Sequence, residues 1–460
     1  MVPTPNTRYN DTLTRSMLYP FTNASYAAKN PPLVIEGGEG AYVVDSSGKR
    51  YIDGQAGLWN VNVGHGREEI KEAIRAQLDK ISYYSLFGGT TTTPSVELAD
   101  RLCRMAAPEG MVQAFFSSGG SEANEAAFKL ARQYWRHVGE PTRTKVISLK
   151  RAYHGVTLGA LSANGTASYR EHFEPLMPGF IQVETPHTYR NPFTTDPDAL
   201  GRLCAELLER EIVYQNPKTV AAFIAEPVQG AGGVIVPPAN FWPLVRDICD
   251  RHGVLLISDE VVTGFGRMGS MFGCRHWGVS PDIMVFAKGI NSGYVPLGAT
   301  VMNQRVSDAF HTADEAEFTM AAFWHGNTYA GHPLACVAAL ANLDIVEREG
   351  LDRNAGEVGA HLLARFRDVQ TRHRNIGDVR GLGLMVGVEL VQDPETKAAF
   401  PLTARFGAQI AEHCRERGVL IRNLADTFII SPPLVLTMAQ ADLLAEVFED
   451  AIGAVERTVA

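Results

Sequence analysis

Between about Gln113 and Ala287 short apolar runs alternate with amphipathic stretches. QAFF is followed by SEANEAAFKLARQYWRHV, and KVISL, VAAFIA, VLLIS and DIMVFA recur at strand length with helical patterns between them. That alternation predicts an α/β fold, a mostly parallel sheet flanked by helices. Within SEANEAAFKLARQYWRHV, Ala123, Ala127, Leu130, Tyr134 and Val138 form one stripe at helical spacing, so a helix with a single apolar face is predicted there.

The pattern differs on either side. The first 60 residues are rich in Pro, Asn and Gly, and AYVVDSSGKRYIDG reads as strand, turn at Ser47-Gly48, strand. After about Gly331 come two helical patterns, LACVAALANLDIVERE and AHLLARFRDVQTRH, then the shorter strand-like pieces LMVGVEL, VLIRN and TFIISPP. We therefore expect an N-terminal arm and hairpin over 1–75 that forms part of a small domain. A large domain over 76–330 and a smaller α+β domain over 331–460 would follow.

Composition narrows the classes. A chain of 460 residues, 45% hydrophobic, can bury a large core. Its net charge is -9 and its basic residues are scattered, which argues against a nucleic-acid partner. The six cysteines lie far apart with no CxxC pair, the pattern of reduced thiols in a cytoplasmic protein. MVPTPNTRYNDTLTRSMLYP lacks the apolar core of a secretory signal, and no apolar run reaches the roughly 18 residues of a membrane span. No metal site is expected.

In open α/β sheets ligands bind outside the carboxyl ends of the strands. The residues there are SSGGSEANE after QAFF, KRAYHG after KVISL, EPVQGAGG after VAAFIA, DEVVTGFGR after VLLIS and KGINSGY after DIMVFA. SSGGSEANE suits an anion, because Gly119 and Gly120 free backbone N–H groups at a helix start; a plain serine N-cap at Ser121 would leave the same trace. VLLISDE could end in a Mg²⁺-holding carboxylate of a nucleotide hydrolase, but GxxxxGK[ST] is missing. GFGRMG matches GxGxxG literally, yet it begins well after the strand end, so a dinucleotide site is not expected.

Asp259 and Lys288 close two successive apolar runs, and a lysine is almost never buried without a reason. Pyridoxal 5'-phosphate (PLP) takes a lysine as covalent partner, a carboxylate at its pyridine nitrogen and a glycine-rich helix start at its phosphate. All three stand at strand ends here. Gly289 and Gly293 after the lysine are expected to let the backbone turn sharply.

In combination and order, SGGSEANE, AYHG, EPVQGAGG, LLISDEVVTGFGR, AKGINSGYVPLGA, HGNTYAGHP and VRGLGLMVGVEL resemble the class III aminotransferases of PLP fold type I over nearly the whole chain. The resemblance implies that Lys288 is the catalytic lysine bound to the cofactor and that Asp259 pairs with the ring nitrogen. It further implies that Tyr153 and Val261 sandwich the ring and that Glu226 joins the polar network beside Asp259. Gly120 and Ser121 would hold the phosphate together with Thr328 of a neighbouring subunit. A homodimer or dimer of dimers would then be the active unit.

The same resemblance bears on substrates. Relatives that use 2-oxoglutarate typically carry an arginine where FIISPPL has Ile429, and a glutamate where EPVQGAGG has Ala231. Arg422 stands a little upstream instead, as in the amine–pyruvate and β-alanine–pyruvate group, the ω-transaminases, where that arginine binds a carboxylate and swings away for an apolar amine. Phe21, Trp59 and Phe87 match the aromatic positions lining the pocket, Phe87 coming from the partner subunit. These implications point to transamination between a primary amine or ω-amino acid and pyruvate. Two alternatives stand beside it: another class III enzyme, either 2-oxoglutarate-dependent or a decarboxylase, and a non-catalytic binding protein on the same fold.

Overall fold

The computed structural model describes residues 16–311, 319–424 and 426–459. A seven-stranded sheet forms its centre: β4 (Met111–Ser117), β5 (Lys145–Leu149), β6 (Phe180–Val183), β7 (Val220–Ala225), β8 (Leu255–Asp259), β9 (Ile283–Phe286) and β10 (Gly298–Asn303). The spatial order is β4-β10-β9-β8-β7-β5-β6. β10 runs antiparallel to both its neighbours, while β5 to β9 pair in parallel. Each of the five apolar runs contains a strand. β6 and β10 were not expected, because FIQV is a half-buried edge strand and GATVMN follows directly on a glycine- and proline-containing stretch.

Both faces of the sheet are covered, which is why β7 and β8 read as unbroken apolar runs. Phe223, Ala225 and Leu256 pack with Phe241, Trp242 and Val245 of the helix Phe241–His252, and with Leu208 of the helix Pro197–Tyr214. Ala221, Ile224, Leu255 and Ile257 face the helix Gly120–His137 through Ala123, Ala127, Leu130 and Tyr134. Val138, the fifth member of the expected stripe, is instead the C-cap of that helix and is exposed.

Two smaller sheets flank the centre. β1 (Ile35–Glu39), β2 (Tyr42–Asp45) and β3 (Arg50–Asp53) form the N-terminal meander, and β13 (Val419–Leu420) joins β3 in parallel. β11 (Ile376–Gly381), β12 (Val386–Leu390), β14 (Arg422–Leu424) and β15 (Thr427–Ile430) build an antiparallel sheet in the order β11-β12-β15-β14. VLIRN is therefore not one strand: Val419 and Leu420 serve the first sheet, and Arg422 begins a strand of the second. One core joins Ala41, Ile52 and Ile70 to Leu362, Phe366, Phe428 and Phe448, so the N-terminal hairpin and the C-terminal helices stabilise each other.

GFGRMG forms a buried strut. Arg267 has no exposed surface; it donates to Asn62 Oδ1 (2.9 Å), to the Leu384 carbonyl (3.2 Å) and to the Pro432 carbonyl. Burial pulls its pKa down to about 9. Through Nη1 and Nη2 this guanidinium ties the loop after β8 to the C-terminal sheet and to Asn62.

Phe223 is fully buried at the centre of the sheet. Phe223→Ala is expected to destabilise the protein by about 3–5 kcal/mol, read as a lower denaturant midpoint in urea; an unchanged midpoint would contradict this packing.

Candidate active site

β8 and β9 end side by side, Asp259 lying in register with Val285 and Lys288 following the end of β9. Lys288 opens a short 3-10 turn at φ 47°. A left-handed conformation is costly for a residue with a Cβ and persists where the surroundings enforce it. Of the two glycines expected to turn the chain, Gly293 has φ 77° but Gly289 has no positive φ; a Cβ on Gly289 would lie 2.4 Å from Asn62 Nδ2. Gly289 is thus there for close approach, and the sharp conformation falls on the lysine itself. Burial lowers the Lys288 pKa, against the opposing Asp259 and Glu226 carboxylates and with help from Arg422. The free amine is thereby favoured relative to an ordinary lysine.

Asp259 is 3% exposed and held on both oxygens. Oδ2 accepts from Asn124 Nδ2 (2.9 Å) and His154 Nδ1 (2.7 Å), and Oδ1 accepts the Val261 N–H (3.1 Å). Three hydrogen bonds thus fix the position of the carboxylate. Neither Asn124 nor His154 was singled out from the sequence, although both lie inside motifs that were, SGGSEANE and AYHG. Glu226 accepts the N–H groups of Tyr153 (3.0 Å) and Gly230 (2.8 Å). Its burial pushes the carboxyl up to about 7, with His154 pulling it down and Asp259 pushing it up.

The helix at SGGSEANE starts at Gly120 with Gly119 as N-cap, so Ser121 is not a cap. Ser121 Oγ instead accepts the Val156 N–H (3.2 Å). A Cβ on Gly120 would come within 3.0 Å of Val261 Cγ1, which brings the helix start and the Val261 side chain together. Tyr153 is partly buried, and the Tyr169 ring stands edge-on to it at 5.7 Å. Phe21, exposed, is edge-on to Tyr169 at 5.5 Å. Trp59 is buried, and a Cβ on Gly230 would meet its ring at 3.0 Å. Tyr169 belongs to the short helix Ala167–Arg170, which has no buried residue and so no apolar pattern to mark it in the sequence.

Arg422 and Ile429 face each other as a cross-strand pair of β14 and β15. Side chains of such a pair leave the sheet on the same face. Arg422 is half-buried, its charge acts on both Tyr153 and Lys288, and Ile429 is buried beside Trp59. Ala231 lines a neighbouring cavity of about 610 Å³ with Tyr169 and Leu424.

Phe87 and Thr328 are placed elsewhere. Both are exposed, Phe87 packs against Gly326, and the Tyr83 hydroxyl donates to the Thr328 carbonyl (2.5 Å). A cavity of about 780 Å³ beside them is lined by Leu86, Phe87, Phe115, Phe323, Trp324 and Gly326, among others. None of Lys288, Asp259, Tyr153 or Arg422 belongs to it.

The crevice fits PLP on its own chemistry. A lysine whose side-chain nitrogen has no hydrogen-bond partner among the described residues, a buried carboxylate and a helix start without a side-chain cap lie at one end of the sheet. Among the described residues no group of three or more metal-ligating side chains occurs, and no helix is long and apolar enough to cross a membrane.

Fold and crevice together define a PLP-dependent transferase of fold type I. The model for aminotransferase class-III matches residues 24–452, and the chain belongs to that family. An amine transaminase from an uncultivated Pseudomonas species, solved in its PLP-bound form, superposes with TM-score 0.93 at 47% identity over 96% of this chain and 99% of that one. The adenosylmethionine-8-amino-7-oxononanoate aminotransferase of Geobacter sulfurreducens is 42% identical over 96% of each chain. The putrescine–pyruvate aminotransferase of Pseudomonas aeruginosa is 39% identical over 93% of this chain and 92% of that one. The protein is therefore a PLP-dependent aminotransferase acting on small amines and oxo acids.

Because the Glu226 pKa rises from an ordinary carboxyl value to about 7 on folding, the folded state binds more protons than the unfolded state between roughly pH 4.5 and 7. Its contribution is fully present below that window and is lost as pH rises through it. In the apoprotein, Glu226→Gln should flatten the fall of stability across the window by on the order of 3 kcal/mol, measured by urea unfolding at each pH. Parallel curves for the two proteins would contradict the assignment.

Proposed function

We propose that the protein transfers the amino group of a primary amine or ω-amino acid to pyruvate, giving an aldehyde or ketone and alanine. The observation that carries the reading is the Arg422–Ile429 pair. Two cross-strand positions face one side of the sheet, and the guanidinium stands at the first of them. The positive charge offered to a carboxylate thus comes from the edge strand β14, and Ala231 supplies no carboxylate to neutralise it. The Pseudomonas aeruginosa relative, whose name specifies pyruvate, supports the choice of acceptor. The Geobacter relative is named for a different donor, so membership of the family alone does not select the amine.

Lys288 would hold PLP, Asp259 would face its ring nitrogen, Tyr153 and Val261 would lie against the ring, and Gly120 and Ser121 would receive the phosphate. When bound, the cofactor supplies an electron sink for the pair left behind as the substrate Cα–H bond breaks. Lys288 Nζ takes up that proton and returns it; the burial that lowers its pKa favours the amine form this needs. Asn124 and His154 hold Asp259 in place. Glu226 fixes the Tyr153 main chain and the Gly230 turn on which Trp59 rests. Arg422 binds the carboxylate of pyruvate or alanine, and the aromatic walls Phe21, Trp59 and Tyr169 accept an apolar amine when it moves aside.

A second copy of the chain completes the site in this reading. Phe87, Trp324 and Tyr329 are 56%, 61% and 61% exposed on the surface that also carries Thr328. Apolar area of that extent on one face is usual for an interface. Phe87 and Thr328 would reach the crevice of the partner.

The test is a donor and acceptor screen of the holoenzyme. Pyruvate should support turnover with 1-phenylethylamine; turnover with 2-oxoglutarate and not with pyruvate would overturn the reading. Arg422→Ala should raise the KM for pyruvate roughly 30-fold, the loss of a charge-assisted contact, and leave the half-reaction with 1-phenylethylamine within about threefold. Equal losses in both halves would remove the carboxylate role.

A further inference from the structure

The 610 Å³ cavity lined by Ala231 also includes Arg151, Tyr169, Arg190, Leu424, Asp426 and Thr427 in its lining. Tyr169 is shared with the crevice through its contact with Tyr153. Leu424 is two residues along β14 from Arg422, so the two positions lie on the same face of that strand.

The charges in this cavity are unequal in what they have left to offer. Glu389 is saturated: Arg380 donates to Oε2 (2.6 Å), and Arg190 donates to Oε1. Arg380 also holds Asp378 (2.7 Å) and the Gly233 carbonyl (2.9 Å). Burial raises the Asp426 pKa, with Arg190 opposing and Glu389 adding to the rise, so its charged form is disfavoured. Arg151 is exposed and has no ion-pair or hydrogen-bond partner among the described residues. Its backbone is held at φ 62°, and its Cβ and carbonyl pack on Gly232, the residue after Ala231. Desolvation and the charges of Arg190 and Arg380 lower its pKa, against the pull of Glu389 and Glu184. A cation held in place beside other cations is stabilised by an arriving anion.

Resting on the transaminase reading above, we propose that Arg151 is the anchor of an outer anion subsite. It reads a carboxylate carried at the far end of a long amine donor, whose amine reaches Lys288. Arg422 reads the carboxylate next to the reacting carbon, and Arg151 the one remote from it. The substrate class is thereby narrowed to long-chain ω-amino acids, with simple alkylamines accepted less well.

The experiment compares 6-aminohexanoate and 8-aminooctanoate with hexylamine and octylamine, pyruvate as acceptor, for the wild-type holoenzyme and for Arg151→Gln and Arg151→Lys. In the wild type at least one ω-amino acid should have a kcat/KM about tenfold above its alkylamine, and the advantage should shrink with added salt. Arg151→Gln should abolish the advantage, Arg151→Lys should retain part of it, and the KM for pyruvate should stay within about twofold in both. An advantage that survives Arg151→Gln overturns the proposal, as does a pyruvate KM that rises with the donor KM. Preference for 1,6-diaminohexane over 6-aminohexanoate overturns it too, since the cavity would then read a cation through Asp426. Absence of all turnover with pyruvate, alkylamines included, would instead mark failure of the transaminase reading.

Discussion

Everything in the crevice depends on a carboxylate and an amine held at the ends of adjacent strands. Asp259 closes β8 and is buried, and Lys288, partly buried, follows β9. Burying charge is tolerable only with compensation. Asp259 receives it from Asn124, His154 and the Val261 N–H. Lys288 receives it only at a distance, from the Asp259 and Glu226 charges, and its pKa falls accordingly. The resulting amine is stabilised by what it can bond to, and a PLP carbonyl is such a partner.

The surrounding structure keeps that arrangement from relaxing. Asn62 wedges against Gly289 directly after the lysine, and Arg267 grips Asn62 together with main-chain oxygens near β12 and β15. The N-terminal arm, the lysine turn and the C-terminal sheet are thereby linked through one buried guanidinium. β14 and β15 in turn set Arg422 opposite Ile429. The strand pair that carries Arg422 and the turn that carries Lys288 are thus braced by the same buried region, although the residues belong to distant parts of the chain.

Much of this was legible in the sequence, for definite reasons. β5, β7, β8 and β9 are buried on both faces, so their apolar runs stand out, and the polar residues after them mark the crevice directly. Lys288 and Asp259 were found that way. Sheet edges were less legible, since β6 and β10 lack a long apolar run; at SSGGSEANE the plain serine cap that the sequence left open is not formed, Gly119 being the N-cap. VLIRN was divided between two sheets because a strand pattern does not say which sheet it joins. Asn124, His154 and Tyr169 carry no apolar periodicity and became visible only through whom they touch. Arg151 was passed over within KRAYHG because an arginine beside a strand end looks like any solvated charge until the cavity in front of it is known.

The central claim is that Lys288 is the residue that bonds to PLP. The direct measurement is borohydride reduction of the PLP-loaded protein followed by proteolysis and mass mapping of the pyridoxyl group. One modified peptide is expected, carrying the added mass on Lys288, with loss of the visible absorption band. Modification of another lysine, or none at Lys288 in a protein that retains the cofactor, would contradict it.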